Sequence, residues 1–127
     1  MNPPVPAVFA ELAGLLVRSG APDRPEAERT SDLGLSAALL GVAAEIWDRQ
    51  AHVLVEENWA LRVLLGVSGT DDDLHLSVLQ AANDGLRALL IDAQAAAEAS
   101  GDTVRQDAIW AELAASTERR RLSSAPV

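Results

Sequence analysis

Glu57 stands where a carboxylate is least expected. On a helical wheel of 100° per residue, Leu54, Leu61 and Leu64 flank it, and Gln50 lies almost directly above it. Two chemistries fit a carboxylate and an amide inside an apolar arc. In one, Glu57 and Gln50 join Asn58, Asn83 and His75 in a polar pocket within a helical bundle. Burial would raise the Glu57 pKa there, and the pocket would take a ligand or a metal. In the other, Glu57 sits at the edge of the arc, and its charge reaches water or pairs with Arg87 or Arg62. The edge reading is preferred, because the flanks of helical seams ordinarily carry charges.

The remaining candidates for chemistry are weaker. Asp48, His52 and Glu56 recur at i, i+4 and i+8, and two ligands on one helix face are a requirement of some zinc sites. The wheel, however, sets all three opposite the leucines, on the face expected to be solvated. His75 is the other of the two histidines, and a hairpin of helices would hold it roughly 20 Å along the axis from His52. The paired Glu-x-x-His of di-iron bundles is missing, so no metal or cofactor is expected. Asp72 and His75 form a D-x-x-H at a helix start, where His75 reads as a histidine capping the end of a bundle. "GVSGT" has neither a following Lys nor a preceding strand, and is not a phosphate loop. With no Cys and no nucleophile pattern beside either histidine, no catalytic residue can be assigned. "RRRLSS" admits a phosphorylation or anionic-partner site, but a solvated helix end favoured by the dipole is the simpler reading.

These side chains must be positioned by helices. The 127 residues are rich in Ala and Leu, the strongest helix formers, and contain no Tyr. Nineteen acidic residues against ten basic ones, all Arg, give a net charge of −9. That charge repels nucleic-acid backbones and anionic lipid surfaces. The longest uncharged apolar run, "LGLSAALLGVAA" at 33–44, is too short to span a bilayer. No secretory signal is evident at the start of the chain, since Glu11 interrupts the apolar stretch. A chain without cysteine suits a reducing cytoplasm, and cytoplasmic location is the expectation.

Along the chain, "NPPVP" reads as extended. "AVFAELAGLLVRSG" is a short helix with Val8, Leu12, Leu15 and Leu16 on one face and Gly20 as its stop. Residues 21–31 form a polar linker with two prolines. Asp32 can cap a second helix from Leu33 to about Leu65. "GVSGTD" breaks it, and Thr70 with Asp73 has capping-box spacing for a third helix running to about Ala99. "SGD" at 100–102 is a further break. A fourth helix runs from about Thr103 to Arg121, and 122–127 is a frayed tail.

Two stretches, "ENWALRVLL" and "ANDGLRALL", share N-x-x-L-R-x-L-L at a separation of 25 residues. Leu33, Leu40, Trp47, Leu54 and Leu61 recur every seven residues, with Ala37, Ala44, Ala51, Asn58 and Leu65 as the companion row. This is the pattern of a coiled-coil seam. If the second and third helices form an antiparallel hairpin turning near Gly69, Asn58 and Asn83 lie at one level. The amide pair would then lock the register, and Asn58→Leu should raise stability while loosening register. Two other accounts are that the amides face each other across a dimer axis, or that the repeat is an accident of composition. Trp59, Val55 and Val63 form a second apolar face, and Trp110 lies on a broad face of the last helix. These four are candidate interface residues.

The sequence therefore predicts one all-α domain over 1–127: an antiparallel helical bundle of about four helices with a long coiled-coil-like central hairpin. The expected role is non-enzymatic interaction or assembly, with a homodimer or a helical protein partner and neither nucleic acid nor membrane. The alternative is a ligand- or metal-binding bundle using Gln50, Glu57, Asn58, Asn83 and His75.

Overall fold

The computed structural model describes residues 4–123. Four helices follow one another: α1 (Val5–Ser19), α2 (Glu26–Leu65), α3 (Leu76–Ser100) and α4 (Thr103–Arg119). No described residue lies in a strand. The chain divides into two compact units, the first built on α1 and on α2 up to Arg49, the second on Gln50–Arg121. Among the described residues, no helix is long and apolar enough to cross a membrane.

In the first unit, α1 starts earlier than the extended reading of "NPPVP" allows. Pro4 is its N-cap and Pro6 falls in the first turn, where a proline's missing N–H is no loss. Val5, Val8, Leu12, Leu15 and Ser19 are buried, whereas Leu16, expected on that face, is exposed. Residues 21–31 are not all linker: α2 begins at Glu26, directly after Pro25. Asp32 therefore does not cap the helix. Its carboxylate accepts hydrogen bonds from Arg24 (2.8 Å) and the Ser19 hydroxyl (3.3 Å), tying the start of α2 to the end of α1. Val8 and Leu12 pack with Ala43 and Leu39. Phe9 meets Trp47 and Ser19 meets Asp32, partners that descend in one helix as they rise in the other, so α1 and α2 form an antiparallel hairpin. Ser123 closes onto the same unit through Glu45, which accepts from its N–H (2.9 Å) and its hydroxyl (2.8 Å). The rest of the expected frayed tail, 124–127, lies outside the described residues.

The second unit departs from the expected central hairpin. Segment 66–75 is non-helical, and it doubles back along α2, where Asp71 meets both Arg62 and Asn58. The capping box at Thr70 and Asp73 does not form. Thr70 donates to Asp72 (3.0 Å), Asp73 accepts from the His75 N–H (2.9 Å), and α3 starts only at Leu76. Gly101, in the left-handed region at φ 68°, ends α3, and Asp102 caps α4 by accepting from the Arg105 N–H at 3.0 Å. Gln106 reaches the Ala97 carbonyl, and Arg87 reaches Ser116, so α4 runs antiparallel to α3. Arg105 donates to the Leu64 carbonyl (2.6 Å), while Ser116 and Arg120 donate to Glu57, so α4 is also antiparallel to α2. It follows that α2 and α3 run in the same direction. The all-α class and the four helices hold, and α4 supplies the antiparallel packing. The reversal between α2 and α3 does not occur, because a ten-residue connection is long enough to return to the middle of α2 before α3 begins.

Parallel running explains the repeated motif better than reversal does. A single offset of 25 residues brings Asn83 to Asn58. It also puts the leucines of both copies, Leu61 and Leu65 with Leu86 and Leu90, into one core with Ile109.

The heptad row of α2 is divided. Leu54 and Leu61 are buried, but Leu33, Leu40 and Trp47 are exposed, Trp47 by 70%. In the first unit the buried positions of α2 are Ser36, Ala43 and Ile46; in the second they are Val53, Leu54, Glu57, Asn58 and Leu61.

Candidate functional site

Three helices meet at Glu57. Glu57 and Asn58 of α2 and Asn83 of α3 lie fully inside, each 0% exposed. Glu57 Oε1 accepts from Asn83 Nδ2 (3.0 Å), from Arg87 Nε (3.0 Å) and Nη2 (2.5 Å), and from Arg120 Nη2 (2.8 Å). Oε2 accepts from Ser116 Oγ (3.0 Å) and Arg120 Nε (2.8 Å). Asn83 Nδ2 also donates to Asn58 Oδ1 at 3.0 Å, and Asn83 Oδ1 accepts from both arginines. Asn58 Nδ2 donates to the Leu79 carbonyl (3.2 Å) and reaches Asp71 Oδ1 (3.4 Å). The network then passes to the two-pronged pair of Asp71 with Arg62 (2.7 and 3.0 Å).

Burial alone pushes the Glu57 carboxyl up, but hydrogen bonds from Arg120, Asn83 and Arg87, with the charge of Arg120, outweigh it and bring it down to about 2. The expectation of a raised pKa is thus overturned, as is the edge position; of the two suggested partners Arg87 pairs with Glu57 and Arg62 does not. Hydrogen bonds from Arg62 likewise hold the Asp71 carboxyl below its ordinary value. Such a group is poorly suited to proton transfer near neutrality, since its carboxylate stays ionised and its lone pairs are engaged. What the arrangement does is cross-link. One carboxylate joins α2, α3, α4 and the residue that follows α4.

The other polar candidates do not join it. Gln50 is partly buried on α2. His75, at the N-cap of α3, is exposed, with its ring Nδ1 2.5 Å from Asp73. His52 lies 3.4 Å from Glu56 on an exposed face. Among the described residues no group of three or more His, Cys, Asp or Glu side chains is placed to hold a metal. Sequence reading missed Ser116 and Arg120. Arg120 was placed in the solvated "RRRLSS" end, and nothing local signals a partner 63 residues away.

The candidate interface residues stand at the surface. Trp59 and Val63 are exposed and Val55 half-buried, one helical turn apart on α2. Trp110 is exposed on α4 beside a cleft of about 420 Å³ that it lines with Leu90, Ile91, Ile109 and Leu113. A further exposed apolar edge lies in the first unit. Phe9 and Trp47 meet edge to face, with ring centroids 6.4 Å apart. Heptad spacing carries the same edge of the α1–α2 hairpin on to Leu16, Leu40 and Leu33, all exposed. From Leu33 to Ala44 this helix bears no charge.

Comparison with protein-family models, with curated proteins and with solved structures finds no match to this chain.

Proposed function

We propose that the chain is a non-enzymatic helical assembly protein of the cytoplasm that associates with itself through the apolar edge of its α1–α2 hairpin. The observation that carries this reading is the uncharged row of Phe9, Leu16, Leu33, Leu40 and Trp47, exposed on a chain of net charge −9. Two helices can bury only the seam between them, and large apolar side chains left contiguous outside that seam mark a surface awaiting a partner. Charge repulsion opposes close approach of two copies over most of such a surface; this edge is exempt. The interior supports a structural role, since the buried Glu57, Asn58 and Asn83 bond to one another and to arginines. The absence of cysteine suits the cytoplasm.

Sedimentation equilibrium tests the proposal. The chain has a mass of 13.4 kDa, and an assembly near twice that mass is expected. Leu40→Glu should return it to the monomer with helicity kept, because Leu40 is 53% exposed and outside the core. A wild-type chain that stays at the monomer mass at every concentration, or a Leu40→Glu chain that still pairs, overturns it.

A further inference from the structure

We infer that the partner on this edge is a second copy of the chain, docked antiparallel along α2 with its two-fold axis between residues 38 and 39. The inference rests on the proposed self-association and adds direction and register to it.

The argument comes from the alternation of sizes on the exposed stripe. Its heptad rows are Leu33, Leu40 and Trp47 on one side and Ala37 and Ala44 on the other, every one of them exposed. Gly34 and Gly41 border the alanines, and a Cβ built on either meets nothing within 4 Å. In a parallel pair each seam layer matches a position with itself. Leucine would then face leucine and alanine would face alanine, so crowded layers would alternate with empty ones, and both cost packing energy. In an antiparallel pair the two rows face each other instead. Setting Leu33 against Ala44 of the second copy brings Ala37 against Leu40, then Leu40 against Ala37, and Ala44 against Leu33. Every layer from Leu33 to Ala44 then holds one large and one small side chain, so this stretch is its own complement, and Trp47 falls opposite Thr30. The bordering glycines leave room for close approach. A two-fold axis requires one patch to serve both copies, the usual arrangement in soluble dimers. The Leu33–Ala44 stretch contains no charge to oppose it.

Distances between spin labels test the register, and the absence of native cysteine makes single-site labelling clean. Arg29 and Asp48, both exposed in the first unit, lie equally far from the inferred axis. With Asp48→Cys, the two labels of an antiparallel dimer should stand about 28 Å apart along the axis, at 1.5 Å per residue. Arg29→Cys should give the same separation. A dimer mixed from one labelled chain of each kind should instead bring its labels to one level, on the order of a helix-pair spacing of 8–10 Å plus the label arms. A parallel dimer inverts the pattern, with short distances in the two single-variant dimers and a long one in the mixture. That result overturns the inferred register while leaving self-association standing. A chain that is monomeric at labelling concentrations overturns both. Either labelling site alone discriminates, so one variant that misfolds does not remove the test.

Discussion

Glu57 draws donors from positions far apart in sequence: Asn83, Arg87, Ser116 and Arg120. A buried charge so placed is costly to lose, because its partners remain. Glu57→Gln should lower stability by about 3–5 kcal/mol, the range for breaking one side of a buried pair, measured by urea unfolding. The same group sets an acid dependence. Its carboxyl falls from an ordinary 4.5 to about 2 in the folded chain, so the folded state holds the proton less tightly than the unfolded state does. The stabilisation is complete above pH 4.5 and is lost as pH falls through 2. By linkage it is worth about 3 kcal/mol. Urea midpoints should decline over that window, and Glu57→Gln should flatten the decline apart from the share of Asp71, whose shift has the same sign. Asn58 belongs to the same network, and that reverses the sign expected from an isolated amide pair. Asn58→Leu takes the acceptor from one N–H of the Asn83 amide and removes the donor shared by Leu79 and Asp71. It should cost about 1–3 kcal/mol with assembly unchanged; a stabilised variant sinks the network account.

At the scale of elements, much of the helical layout follows from local chemistry. Prolines stand at the starts of α1 and α2, and Gly101 ends α3 in a conformation that favours glycine. Gly101 and Gly85 form a matched test, since a Cβ added at either meets nothing within 4 Å. Gly101→Ala should lose about 1 kcal/mol, because φ is 68° there. Gly85→Ala, in the interior of α3, should gain about 1 kcal/mol from the better helix former. Thermal unfolding reads both, and equal signs would contradict the backbone account. Local signals misplaced the start of α3. The Thr70 and Asp73 spacing imitates a cap, but tertiary partners win, because Asp71 between them is drawn to Arg62 and Asn58.

For the whole molecule, the decisive feature is that one heptad row serves two purposes along α2. Its later part, Leu54 and Leu61, is buried by the chain itself; its earlier part, Leu33, Leu40 and Trp47, is not. The dissociation expected of Leu40→Glu belongs to this scale, since Leu40 is exposed and stands outside the buried core. What the sequence settled by itself was the all-α class and the four helices; the pairing of the amides at 58 and 83 was one of three accounts it left open. Periodicity and capping are local, and they act wherever the chain is. The tertiary structure alone decided that α3 runs with α2, that Arg120 closes on Glu57, and which half of the heptad row enters the core. Those outcomes depend on the return path of a loop and on partners as far as 63 residues apart, and neither is visible within any short window of residues.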